Sequence, residues 1–332
     1  MAQIAVLGAG SWGTALALSL ANGGHDVLLW SNDAEQVSQM QTKRENAYYL
    51  PGIKFLNSLQ VSNDLAATLK FAKLVLIVVP SHAFKSVLNQ VKLFWTEQHQ
   101  LIWATKGLDE SGNLLHTIAE QVLGTHVAKA ILSGPSFAIE VAQGLPTAVA
   151  IASPSQQYAG QLAAIFSHNL FRVYTSSDIV GAELGGAVKN VLAIATGISD
   201  GLGYGANARA ALVTRGLAEM MRLGLAMSAK SETFTGLTGL GDLVLTCTDD
   251  KSRNRRFGLA LGRGESLKDA EKNIGQVVEG IVTAKHVHTL ATKLNVDMPI
   301  TEQVYRLLQE QCSPQQAVFE LLNRRLKSES GF

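Results

Sequence analysis

Short apolar runs alternate with longer amphipathic stretches over the first half of the chain. Ile4 to Leu7 is apolar at every position, as in a buried strand. A glycine-rich turn follows, Thr14 to Ala21 is predicted as a helix ended by Gly23 and Gly24, and Val27 to Trp30 supplies a second strand. Strand, glycine turn, helix, strand is a βαβ unit, which implies parallel strands and a right-handed crossover. Apolar runs at Leu74–Val79, Leu101–Ala104, Ala130–Leu132 and Ala148–Ile151 continue the pattern, with helical stretches between several of them, and Phe171–Tyr174 is a candidate last strand. From Ile179 the period changes. Ile179–Ser199, Ala206–Met227, Val277–Leu294 and Thr301–Leu308 are helical in pattern, with no convincing strand among them. The prediction is an α/β fold: a doubly wound sheet over residues 1–180, followed by a second, all-α domain over 181–332.

A length of 332 residues suits two domains, and 47% hydrophobic against 17% charged residues excludes a disordered chain. With 28 basic and 27 acidic residues, the net charge of +1 gives no long-range field for a nucleic acid or an acidic membrane. The expected partner is a small molecule. Cys247 and Cys312 form no CxxC pair, so neither a disulfide framework nor a zinc site is implied, and a reducing compartment fits. His286 and His288 stand two apart on a predicted helix, point in different directions and are taken as surface histidines; no metal is expected. No basic segment precedes the first apolar run, and Leu74–Val79 stops at Pro80, far short of the roughly 20 residues that span a bilayer. These features lead us to expect a soluble, cytoplasmic protein.

The turn Gly8-Ala9-Gly10-Ser11-Trp12-Gly13 directly follows the first strand and opens a helix, the context that makes GxGxxG specific for a dinucleotide. Gly8 permits the turn, Gly10 lets a pyrophosphate approach, and Gly13 allows close helix–strand packing in a Rossmann-type domain. The amides of Ser11 and Trp12 then face the anion at the positive end of the helix dipole. The second strand ends in Trp30-Ser31-Asn32, with Asp33 one step beyond. Ser31 and Asn32 can bond either a ribose or a phosphate, and Lys43 and Arg44 are placed to help, so NAD and NADP both stay open.

Gly185 to Ala195 is almost wholly small or apolar, and a helix apolar on every side is buried. Lys189 and Asn190 are its only strongly polar members, and neither can be buried without partners. A desolvated lysine has a lowered pKa and can protonate the alkoxide that forms as a carbonyl is reduced. Asp242 ends the glycine-spaced run Thr235–Gly241 just before Leu243-Val244-Leu245; it needs a cation, with Lys189 the candidate, or else it caps the next helix. Ser252-Arg253-Asn254-Arg255-Arg256 is the densest basic cluster, suited to one phosphate through Arg253 and its neutral neighbours Ser252 and Asn254. Lys106 stands at the C-terminal end of a predicted strand, where open α/β sheets bind ligands, and the Ser133–Ala138 segment, with Gly134 and Ser136, can offer amides there.

With these segments assembled, the chain resembles bacterial NAD(P)-dependent glycerol-3-phosphate dehydrogenases over essentially its whole length. GAGSWGTALA, VVPSHAF, WATKGL, SGPSFA, GGAVKN, GLGDLVLTCT, SRNRRFG and GQVVEG occur in that family's order. The resemblance implies reversible reduction of glycerone phosphate to sn-glycerol 3-phosphate with NAD(P)H, supplying glycerophospholipid synthesis. It implies that Lys189 is the catalytic proton donor and acceptor, and that Lys106, Gly134, Ser136, Asp242, Ser252, Arg253 and Asn254 meet the substrate, with Asn190 counted beside them. Ser11, Trp12, Lys106, Ala138, Arg253, Val277 and Glu279 are implied to meet the cofactor. Some members carry His or Arg where this chain has Asn32, which argues against a strict NADP preference. A homodimer is expected. The rival readings are a related two-domain β-hydroxyacid dehydrogenase, which needs no 252–254 cluster, and a non-catalytic dinucleotide sensor, which needs no buried Lys189.

Overall fold

The computed structural model describes residues 1–325 and divides into two compact units, residues 1–109 with 113–179 and residues 110–112 with the chain from 180 onward. The first unit is built on eight strands: β1 (Gln3–Leu7), β2 (Asp26–Trp30), β3 (Leu59–Ser62), β4 (Leu74–Ile77), β5 (Gln100–Trp103), β6 (Lys129–Ser133), β7 (Thr147–Ala152) and β8 (Phe171–Ser176). Between them run α1 (Ser11–Asn22), α2 (Ala34–Lys43), α3 (Leu65–Phe71), α4 (Ser81–Lys92), α5 (Leu115–Leu123), α6 (Ala138–Ala142) and α7 (Gln156–Phe166). The sheet order is β3-β2-β1-β4-β5-β6-β7-β8. Ile4 faces Val27 on one side and Leu74 on the other, so the order reverses beside β1, and the glycine turn leaves the sheet at this switch point. Ile4, Ala5, Val6 and Leu7 are all fully buried, as a central strand covered on both faces requires.

Two features depart from the expected pattern. β3 was missed because Leu59-Gln60-Val61-Ser62 alternates and is too short to stand out from its polar surroundings. β7 pairs antiparallel with β6, and β8 follows β7, so the sheet is mixed rather than wholly parallel. The connection from β6 carries only the five-residue helix α6, and so short a helix does not carry the chain back along the sheet for a parallel return.

The second unit is helical: α8 (Ile179–Gly201), α9 (Gly205–Ala226), α10 (Ser231–Thr235), a π-helical turn (Leu237–Gly241), α11 (Asp242–Thr248), α12 (Arg253–Gly262), α13 (Leu267–Ile274), α14 (Glu279–Lys293), α15 (Pro299–Leu308) and α16 (Pro314–Leu322). α8 is long and apolar enough, by composition, to cross a membrane, but 94% of its apolar window is buried inside the structure, which makes it a core helix. Glycines set how closely its neighbours approach. A Cβ on Gly185 would lie 2.2 Å from the Thr238 carbonyl oxygen, one on Gly197 2.1 Å from that of Arg255, and one on Gly258 2.1 Å from that of Ile194. The π-turn and α12 therefore pack on α8 with backbone against backbone. His286 and His288 are half-buried rather than surface residues; His288 stacks on Tyr305 with ring centroids 4.0 Å apart and lies 2.5 Å from Glu302.

Candidate active site

In the first unit the three glycines of the turn meet three different demands. Gly8 has φ +115°, and a side chain there would drive into the Val78 carbonyl at 2.4 Å. A Cβ on Gly13 would fall 1.8 Å from the Gly8 carbonyl, whereas one on Gly10 would meet nothing within 4 Å. Gly8 and Gly13 thus close the turn, and Gly10 leaves its outer side open to a ligand. Ser11 and Trp12 begin α1, which has neither a side-chain cap nor an acidic residue in its first turn, so its positive end is uncompensated. The Trp12 indole nitrogen is buried without a partner among the described residues. An open, amide-lined helix end with an unmatched donor fits an anionic dinucleotide.

Gln36 and Asn46 shape this turn and were not foreseen. Each donates from its amide nitrogen to the Ala9 carbonyl at 2.8 Å, and Asn46 also reaches the Thr14 hydroxyl at 2.8 Å. Both are distant in sequence and lie in unremarkable segments, so no local signal marks them. Beyond β2, Asn32 is exposed, while Asp33 is spent capping α2 by accepting from the amides of Glu35 and Gln36. Ser31 is buried and donates to Gln36. The Arg44 guanidinium donates to the carbonyls of Leu56 and Leu59. Of the side chains considered for reading the ribose, Asn32 keeps the exposed place at the strand end.

Elsewhere in this unit Lys106 Nζ donates to the Gly134 carbonyl at 3.2 Å and Ser136 Oγ to the same oxygen at 2.9 Å. Gly134 has φ +142°, and a Cβ there would sit 3.0 Å from Val149 Cα. The loops after β5 and β6 are thereby tied at one carbonyl, with Ala138 following as the half-buried first residue of α6.

The second unit gathers the charged candidates. Lys189 Nζ donates to Asp242 Oδ1 at 2.5 Å, with the two side chains only 8% and 1% exposed. The pair follows from register: Gly185 abuts the Thr238 carbonyl, and four residues along each segment, one helical turn, Lys189 meets Asp242. Asp242 opens α11 without capping it. One residue beyond Lys189, Asn190 Oδ1 accepts from Asn254 Nδ2 at 3.0 Å, while Asn190 Nδ2 donates to Glu279 at 3.5 Å. Asn254 Oδ1 accepts from the Gly280 amide at 2.9 Å. Ser252 caps α12, Arg253 is half-buried with a 3.4 Å contact to Gln276, and Val277 is 51% exposed. The basic cluster is therefore divided: Arg255 faces inward to Asp200 and Asp250, Arg256 is exposed, and Arg253 stands between these extremes. The buried Cys247 carries a thiol pushed up to about 12 by desolvation, so it is no nucleophile near neutral pH. Both cysteines are unpaired.

Chemically, this arrangement offers a proton donor held by a carboxylate, with amide and guanidinium donors at the start of the adjacent helix. Sequence models of NAD-dependent glycerol-3-phosphate dehydrogenase match residues 3–159 with the family's N-terminal part and residues 178–319 with its C-terminal part. The chain belongs to this family. Membership makes it a nicotinamide-dependent oxidoreductase whose first unit is a Rossmann-type dinucleotide-binding domain. It is 53% identical to a glycerol-3-phosphate dehydrogenase [NAD(P)+] of Idiomarina loihiensis over 98% of this chain and 99% of that one. A crystal structure of glycerol-3-phosphate dehydrogenase from Coxiella burnetii shares 52% identity and a TM-score of 0.94, covering 97% and 99% of the two chains. The yeast (Saccharomyces cerevisiae) enzyme of the same name, at 26% identity over 97% and 99%, superposes with a TM-score of 0.83.

Proposed function

We propose that the protein reduces glycerone phosphate to sn-glycerol 3-phosphate, reversibly, with NADH or NADPH, as a cytoplasmic homodimer that supplies glycerophospholipid synthesis. The observation that carries the reading is the buried Lys189–Asp242 pair set beside Asn190 and the first turn of α12. A bound nicotinamide would supply the hydride to the carbonyl carbon, or accept it in the reverse direction. Lys189 gives its proton to the carbonyl oxygen as that oxygen becomes an alkoxide, and takes it back in the reverse direction. Asp242 fixes the ammonium and offsets its charge in a site shielded from water. Arg253, Ser252 and Asn254 hold the substrate phosphate, with the positive end of α12 adding to the field. Lys106, Gly134 and Ser136 complete the substrate set. In the first unit Gly8, Gly10, Ser11, Trp12 and Gly13 would hold the pyrophosphate and Asn32 the adenosine ribose; Ala138, Val277 and Glu279 are the other residues proposed to meet the cofactor.

The test is a reduced-nicotinamide absorbance assay on glycerone phosphate and on glycerone. Wild type should turn over the phosphorylated compound and barely use the other. Arg253→Ala should lower kcat/KM for glycerone phosphate by at least about tenfold, since a charge-assisted bond contributes about 1.5–3 kcal/mol. A normal KM in that variant would return the cluster to the solvent and favour a β-hydroxyacid substrate. Sedimentation velocity reads the homodimer directly.

A further inference from the structure

Arg255 belongs by sequence to the basic cluster, yet its geometry is unlike that of a substrate contact. Its side chain is 8% exposed. Nη1 donates to Asp200 Oδ2 at 2.5 Å and Nε to Asp250 Oδ1 at 3.0 Å, while Arg209 donates to the same Asp200 oxygen at 2.6 Å. The Arg255 amide also donates to Ser252 Oγ at 3.2 Å. Arg255 thus ties together the loop at Asp250, the cap at Ser252 and the end of α8 at Asp200. The two residues between the cap and Arg255 are Arg253 and Asn254.

A rigid tie matters here because α8 and α12 run side by side in matched register. Asn190 meets Asn254, Gly258 lies against Ile194, and Gly262 lies against Ile198, each pair 64 positions apart in sequence. Glycine contacts set how close the two helices come, but glycine carries no directional bond that resists sliding of one helix along the other. The Arg255 guanidinium does, because its planar fork bonds Asp200 on α8 through Nη1 and Asp250, in the loop that leads into α12, through Nε, each in a fixed direction. A shift of α12 by one rotation step would carry Arg253 and Asn254 away from Asn190 and Lys189.

We propose that Arg255, locked by Asp200 and Asp250, is a positioning residue that sets the register of the phosphate-holding first turn of α12 against Lys189. This inference rests on the reading of Ser252–Asn254 as the phosphate contacts.

The experiment compares wild type, Arg255→Lys and Asp250→Asn on glycerone phosphate and on glycerone, with inorganic phosphate as a competitive inhibitor. Lysine keeps the charge and loses the fork. The Asp250 side chain is 66% exposed, so that variant keeps the fold even if the buried substitution does not. Arg255→Lys should raise KM for glycerone phosphate and Ki for phosphate about tenfold, with kcat within about threefold and glycerone turnover unchanged. Asp250→Asn should move KM and Ki the same way by about two- to threefold. The proposal is overturned if stability falls while both constants stay put, or if both substrates lose activity equally. It is overturned equally if Asp250→Asn leaves both constants at the wild-type values when Arg255→Lys does not fold. Failure of wild type to prefer glycerone phosphate would instead sink the substrate reading.

Discussion

Single residues here divide into those whose chemistry is explicit and those whose surroundings assign it. Lys189 is the clearest of the first kind, a buried cation bonded to the Asp242 carboxylate. Lys189→Met keeps the apolar stem and removes the proton. Its kcat should fall about 10²–10⁴-fold while the cofactor Kd is retained, a pattern read by pairing steady-state rates with fluorescence titration of NADH. Activity within a fewfold of wild type would remove the lysine from the reaction. Asn32 is of the second kind. It is exposed at the end of β2, with Asp33 committed to a cap and Arg44 to carbonyls of its own unit. Asn32→Arg supplies a guanidinium where a 2′-phosphate would lie, so the ratio of kcat/KM with NADPH to that with NADH should rise several-fold; an unchanged ratio means that this position does not read the ribose.

At the scale of elements, buried polar groups settle how helices join. Glu219 on α9 is 1% exposed and accepts from the Ile300 and Thr301 amides at 2.6 and 3.1 Å and from the Thr301 hydroxyl at 3.0 Å, capping the start of α15 from another helix. Desolvation outweighs these donors and pushes its carboxyl up to about 7 from an ordinary 4.5. A folded value above the unfolded one means that the native state holds the proton more tightly. The contribution is therefore fully present below pH 4.5 and is lost as pH rises through about 7. At one pKa unit per 1.36 kcal/mol, the loss is of the order of 3 kcal/mol. Urea midpoints should fall between about pH 5 and pH 8 in wild type, and Glu219→Gln should flatten that slope. An identical slope in the variant would show that another group titrates.

For the whole molecule, dinucleotide binding adds stability only to the folded chain. If the turn after β1 is the binding site, NADH or NADPH at a hundred times its Kd should stabilise the protein by about 2.7 kcal/mol and raise the midpoint of a calorimetric scan. A midpoint unmoved by both would deny the first unit its cofactor. Because the chain forms two compact units, the scan is to be fitted without assuming one transition.

How much of this was legible in the sequence depends on how local each signal is. Gly8, Gly10 and Gly13 could be assigned separate tasks from their spacing alone, because a turn between a strand and a helix is set by a few adjacent backbone angles. Lys189 and Asp242 could be matched because an apolar segment leaves a buried charge few alternatives. The sequence therefore determined the fold class and the change from an α/β to a helical architecture, though not the short strand β3. It was silent on the reversal at β7, on Gln36 and Asn46 holding the Ala9 carbonyl, on Glu219 capping a helix 81 residues away, and on Arg255 turning from the basic cluster toward Asp200. Each of these is a choice among partners distant in the chain. Hydrophobic periodicity fixes which face is buried but not which neighbour covers it, and that is decided only when the helices pack.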